Sequence, residues 1–228
     1  VQRLEDGRNS WTFKDNGPSQ WDVDIQRLSF NSGKLRYADE PLGIDLRLDA
    51  RSIDGQQTQP AEGVPPYGLA FTLSGTYNKA KITGGGKAGA VLSLTGEDIT
   101  FPIEAEARAG QNRLGLRGVI RDPRSPSGFA LKMELAGASM ADLYGLTGVL
   151  LPETPPFSTS GNLLGKTDGN FWTFTYKDFK GKVGASDIAG TLTYAQREKR
   201  PFLSGALTSN QLRLADLGPT VGADTGAG

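Results

Sequence analysis

Gly43-Ile44-Asp45-Leu46-Arg47-Leu48-Asp49-Ala50 alternates apolar and charged residues without a break. In an extended chain successive side chains point to opposite faces, so Ile44, Leu46 and Leu48 share one side and Asp45, Arg47 and Asp49 the other. A helix would scatter the same residues around its circumference. The stretch therefore predicts a strand with one oily face and one solvated face. The same alternation recurs in Leu69-Ala70-Phe71-Thr72-Leu73-Ser74-Gly75, in Phe129-Ala130-Leu131-Lys132-Met133-Glu134-Leu135 and in Ile188-Ala189-Gly190-Thr191-Leu192-Thr193-Tyr194.

Alternating runs bounded by Gly, Pro, Asn or Asp predict strands over 10–14, 21–30, 33–38, 42–50, 68–78, 90–95, 99–108, 113–121, 128–136, 157–164, 171–178, 188–195 and 202–209. The punctuation between them is mostly short: Asn31-Ser32-Gly33, Asp122-Pro123, and the hairpin dipeptide Asp168-Gly169. Short turns join strands that are neighbours in sequence, which predicts an antiparallel meander. About thirteen strands at ~4.8 Å each would run about 60 Å across, a width at which a twisted open sheet curls. Glycines inside the alternation, among them Gly75, Gly118, Gly161, Gly190 and Gly205, fit a sheet that keeps bending.

Two connections are longer. Residues 55–66 are polar and proline-rich and predict an exposed excursion. The sequence over 139–151 predicts one short helix: Ser139 as N-cap, Asp142 three residues on, Met140, Leu143, Tyr144 and Thr147 on one face, then Gly148 and Pro152 to stop it. A helical turn is expected near 212–218, ended by Gly218-Pro219.

The 228 residues carry 25 basic and 25 acidic side chains, so no net field draws the chain to nucleic acid. With neither Cys nor His there is no disulfide, no soft metal ligand and no usual neutral-pH general base. No metal or cofactor is expected, and no catalytic residue is assigned. No apolar run approaches the ~18 residues of a membrane span, and no basic-then-apolar leader opens the chain. The expectation is a single β-rich domain over 1–221 with a flexible tail over 222–228, excised from a longer protein whose anchor lies elsewhere.

Three constellations carry no chemistry on this reading. Gly84-Gly85-Gly86-Lys87-Ala88-Gly89 fits the spacing of a dinucleotide loop, but Ala90-Val91-Leu92-Ser93-Leu94 follows it where a helix is required, so a flexible turn is expected. Glu104 with Glu106 and Asp45 with Asp49 share strand faces beside Arg or Lys, as a solvated surface should. The aromatics Trp11, Trp21, Trp172, Tyr37, Tyr77, Tyr144, Tyr176 and Tyr194 are scattered over strands, which points to packing.

The run Ala141-Asp142-Leu143-Tyr144 through Leu151-Pro152-Glu153-Thr154-Pro155-Pro156-Phe157-Ser158-Thr159-Ser160-Gly161 resembles the AsmA family, in its helix, its Leu-Pro-x-Thr-Pro-Pro-aromatic connection and its next strand. Gly181-Lys182-Val183-Gly184-Ala185-Ser186-Asp187-Ile188-Ala189-Gly190-Thr191-Leu192, Arg200-Pro201-Phe202-Leu203-Ser204-Gly205 and Leu212-Arg213-Leu214-Ala215-Asp216-Leu217-Gly218-Pro219 are similar to the family's carboxyl-terminal region, and Asp6-Gly7-Arg8-Asn9-Ser10-Trp11 to an earlier strand. The matches cover most of the second half and fragments of the first. Thr220 departs from the apolar residue expected there, and the family's amino-terminal membrane helix is missing from the sequence.

The resemblance implies a periplasmic, inner-membrane-anchored protein of Gram-negative bacteria. It implies a role in outer-membrane lipid homeostasis, by conducting phospholipid along a hydrophobic β-groove without enzymatic activity. The implied partners are phospholipid acyl chains and the inner membrane, the latter through a segment outside this sequence. The candidate lining is Ile44, Leu46, Leu48, Phe71, Leu73, Leu92, Leu94, Phe101, Ile103, Leu114, Leu116, Leu131, Met133, Leu135, Phe174, Leu192 and Leu207. Two ways of hiding such a face stay open: a curved trough or incompletely closed barrel that holds lipid, or a closed structural or protein-binding β module with a dry core.

Overall fold

The computed structural model describes residues 2–3, 27–28, 31–41, 43–53, 64–89, 92–93, 100–121, 127–144, 151–198 and 200–218. Fourteen strands follow in chain order: β1 Gln2–Arg3, β2 Arg27–Leu28, β3 Ser32–Asp39, β4 Ile44–Ser52, β5 Tyr67–Tyr77, β6 Ala80–Gly89, β7 Leu92–Ser93, β8 Thr100–Ala109, β9 Asn112–Arg121, β10 Gly128–Gly137, β11 Phe157–Thr167, β12 Trp172–Val183, β13 Ser186–Ala195 and β14 Phe202–Thr208.

Twelve of them form one sheet in the order β1-β3-β4-β5-β6-β8-β9-β10-β11-β12-β13-β14. From β3 onward every pairing is antiparallel between strands that follow one another in the sheet, while β1 adds to β3 in parallel. The sheet is the expected meander and is not closed into a barrel: β1 and β14 stand at opposite ends of the order. Local chemistry sets the turns. Asn78 and Lys79, both at positive φ (46° and 67°), make the two-residue hairpin between β5 and β6. Asp168 Oδ1 accepts from the amides of Asn170 (3.0 Å) and Phe171 (2.9 Å) between β11 and β12.

One sequence expectation is corrected. Gly84-Gly85-Gly86-Lys87-Ala88-Gly89 is not a turn but the second half of β6, paired with β5 on one side and β8 on the other. A Cβ at Gly86 would collide with the carbonyl oxygen of Glu104, so glycine here admits a close neighbouring strand. Of the run 90–95 the described residues are Leu92–Ser93, which pair with Arg27–Leu28 in a separate two-stranded sheet.

In the described part of the helix expected over 139–151, Met140–Leu143 form a 3-10 turn and Tyr144 is helical. Ser139 Oγ accepts from the amides of Ala141 (3.3 Å) and Thr154 (3.0 Å), and Thr154 Oγ1 accepts from the amide of Met140 (3.0 Å). That exchange ties the first turn to the returning chain, and residues 145–150 lie outside the described residues. A second 3-10 turn, Leu214–Leu217, stands where a helical turn is expected. The run 10–14, most of 55–66 and the tail 222–228 also fall outside.

Candidate functional site

Directly opposed residues of neighbouring strands carry their side chains on the same side of a sheet. Starting from Phe71, the register runs through Gly86, Ala105, Leu116 and Met133 to Gly161. A second row runs Leu48, Leu73, Gly84, Ala107, Leu114, Leu135 and Thr159. A third joins Ile103, Gly118, Leu131, Leu163, Tyr176, Leu192 and Gly205. A fourth joins Phe101, Ile120, Phe129, Gly165, Phe174, Tyr194 and Leu203.

Fifteen of the residues singled out in the sequence thus share one face: Ile44, Leu46, Leu48, Phe71, Leu73, Phe101, Ile103, Leu114, Leu116, Leu131, Met133, Leu135, Phe174, Leu192 and Leu207. The other two do not join them. Leu92 sits opposite Leu28 in the small sheet, and Leu94 lies outside the described residues. On the opposite side stand Lys34, Asp45, Asp49, Glu104, Arg117, Lys132 and Glu134. They form cross-strand or same-strand ion pairs: Lys34 with Asp49 at 3.7 Å, Arg117 with Glu104 at 2.9 Å and Lys132 with Glu134 at 3.2 Å. Arg36 meets Asp45 through two hydrogen bonds, of 2.9 and 2.8 Å, which hold the Asp45 carboxyl below its ordinary range.

Among the described residues the apolar face is only partly buried. Of the fifteen only Leu131 is buried; the others are half-buried, and Leu207 at the sheet edge is 49% exposed. Beside it Leu203 is 68% exposed. Large side chains on this face alternate with Gly75, Gly84, Gly86, Gly118, Gly161 and Gly190, where neighbouring atoms press close.

The face is larger than the sequence alone suggests. Ile82, Phe129, Leu163, Tyr176, Phe179, Ile188, Tyr194 and Leu203 belong to it as well. Phe129, Trp172, Phe174 and Tyr194 form a chain of rings with centroids 6.0, 5.7 and 6.4 Å apart in turn, and Phe129 lies over Gly165. Phe179 escapes simple alternation because a bulge at residues 177–178 adds a residue to β12. Two polar residues in succession, Lys177-Asp178, between Tyr176 and Phe179 were the available signal.

One end of the face is covered. Leu143 and Phe157 are buried there, and Asp216 is buried beside Ser186, its Oδ2 accepting from Ser186 Oγ (2.8 Å) and from the amide of Ala185 (3.0 Å). Asp187, one strand position away, accepts from the amides of Asn210 and Gln211 and the side chains of Ser209 and Asn210. Chiefly the Gln211 amide holds its carboxyl below the ordinary value. The Tyr176 hydroxyl, 2.9 Å from Thr159 Oγ1, is pushed up by burial. Among the described residues no three His, Cys, Asp or Glu come together in a metal-holding group. What the arrangement offers is a broad oily surface with a charged back.

A family model described as the AsmA family matches residues 3–227. "AsmA family protein YhjG" of Escherichia coli (strain K12) is 39% identical over 246 residues, which take in 99% of this chain and 36% of that protein. The chain thus spans about a third of the length of this curated relative. No solved structure matches.

Proposed function

The chain belongs to the AsmA family, and on that premise we propose that it is a non-enzymatic, periplasmic segment of an inner-membrane-anchored envelope protein. It holds or conducts phospholipid by its acyl chains and so supports outer-membrane lipid homeostasis. The observation that carries this reading is the set of apolar rows crossing the sheet from β4 to β14 on one side only, in a sheet that does not close over them. Each acyl methylene laid on such a surface gains about 0.8 kcal/mol, and no step along the rows requires a specific pocket. No helix among the described residues is long and apolar enough to cross a membrane. In this reading attachment to the membrane is made by other parts of the parent protein.

The test is lipid analysis combined with site-specific photo-crosslinking. Phospholipid should co-purify with the protein, and a photo-reactive residue at Leu46 or Leu116 should label it, whereas the same residue at Arg47 or Arg117 on the charged face should not. Absence of bound phospholipid, or equal labelling from both faces, would defeat the proposal.

A second reading, a protein-binding β module, is favoured by one observation. Every residue of β14 is exposed, and Phe202-Leu203-Ser204-Gly205-Ala206-Leu207-Thr208 contains neither charge nor proline, the usual devices that keep an edge strand from pairing. Such an edge suits a partner that adds a strand.

A further inference from the structure

We propose that the charged face carries a site of its own: a hollow between β8 and β13 that binds a phosphate group. It goes beyond the lipid reading and does not depend on the apolar face. The hollow encloses about 930 Å³. One row of opposed residues crosses it, Arg108, Arg113, Ala136, Ser158 and Lys182. Ala136 and Ser158, with Gly115 and Ser160 beside them, make a floor of small side chains, while Arg108 and Arg113 rise on one side and Lys180 and Lys182 on the other. Arg113 and Lys182 stand three strand spacings apart, ~14 Å between backbones, so their long arms can converge above that floor.

Two of these four cations face each other directly. Arg108 and Arg113 are directly opposed across β8 and β9, an arrangement that repels. Four basic side chains of this face meet acids, Lys34 with Asp49, Arg36 with Asp45, Arg117 with Glu104 and Lys132 with Glu134. Arg108, Arg113, Lys180 and Lys182 have no such partner among the described residues. The acids that border the hollow do not fill the gap. Asp187 is committed to Ser209, Asn210 and Gln211, and Glu134 to Lys132. Glu106 and Glu134 stand with Lys180 in the neighbouring row, and Asp187 stands opposite Lys182 at the end of the row of Arg108, Arg113 and Ser158. The Arg108 and Arg113 guanidiniums offer forked pairs of donors that suit the several oxygens of a phosphate, with the Lys182 ammonium and the Ser158 hydroxyl in the same row.

The test compares the full chain with two double variants, R113Q/K182Q at the hollow and K81Q/K166Q elsewhere on the charged face. Binding of inorganic pyrophosphate is measured by calorimetry, and binding of vesicles containing phosphatidylglycerol against vesicles of phosphatidylcholine by co-sedimentation. R113Q/K182Q should weaken the phosphate-dependent binding at least tenfold and K81Q/K166Q less than twofold, with lipid labelling from Leu46 unchanged in both. Capture of pyrophosphate would point to a free phosphate ligand, and capture of the anionic vesicles alone to a lipid headgroup. Equal losses in the two double variants would reduce the effect to net charge and overturn the site, as would absence of binding in every arm.

Discussion

Tyr176 and Phe179 stand three residues apart in β12, yet their rings stack with centroids 4.9 Å apart and planes 6° from parallel. Strict alternation would send them to opposite sides of the sheet. The bulge at Lys177-Asp178, with Asp178 at φ 51°, inserts the extra residue that returns Phe179 to the apolar face, where it is buried.

That left-handed backbone tolerates glycine and resists a β-branched side chain. Asp178→Gly is expected to leave stability within about 1 kcal/mol of the parent, and Asp178→Val to cost about 1–3 kcal/mol. Urea unfolding followed by tryptophan fluorescence distinguishes them; equal midpoints for the two variants would mean the bulge is not constrained.

Gly75 and Gly115 both sit inside strands but in different surroundings. Gly75, at φ 150°, has the carbonyl oxygen of Asp45 where a Cβ would go, whereas the nearest atom to a Cβ at Gly115 is Glu134 Cβ at 3.8 Å. Gly75→Ala should therefore destabilise by about 2–4 kcal/mol, while Gly115→Ala should be neutral or add up to ~1 kcal/mol by restricting the unfolded chain. Thermal melts of the two variants give the comparison.

The buried carboxylate of Asp216 joins the turn Leu214–Leu217 to the start of β13 through Ser186 and Ala185. Asp216→Ala removes both of these bonds, the buried one to Ser186 included, and is expected to cost about 1–3 kcal/mol. Hydrogen exchange should quicken at residues 184–187 and 213–217 before it does in β9 or β10; uniform acceleration throughout would show that the clasp acts globally instead.

Asp187 and Asp45 have folded pKa values depressed below the ordinary 3.8 by donated hydrogen bonds. Depression means the unfolded chain takes up the proton first. Their contribution is fully present above 3.8 and is lost as pH falls below it through the folded values. The urea midpoint should therefore drop as pH is lowered from 5 toward 3, and less steeply in Asp187→Asn, which removes one such carboxylate. An unchanged slope in that variant would show that Asp187 does not contribute.

An exposed, uncharged edge at β14 should be prone to association. Leu203→Lys places a charge on its apolar side and is expected to reduce concentration-dependent assembly in analytical ultracentrifugation without altering the melting temperature by more than a few degrees. Unaltered assembly would assign the association to another surface.

The alternation around Leu46 was enough to settle the strand class, the antiparallel meander and the face on which most of the apolar residues lie, because a period of two is a local property of an extended backbone. Hydrophobic alternation did not reveal β6, since Gly84-Gly85-Gly86 has no side chains to alternate and its strand state is imposed by β5 and β8 on either side. Phe179 was hidden by the bulge.

Sequence by itself thus determined that this chain makes a sheet with one oily face and one charged face. Tertiary structure alone decided that the sheet stays unclosed, which glycines stand where neighbouring backbones press close, and that Arg108, Arg113, Lys180 and Lys182 gather around one hollow. The physical reason is one of range: side-chain alternation is written residue by residue, whereas closure, strand proximity and charge convergence depend on register between strands whose partners are distant in the chain.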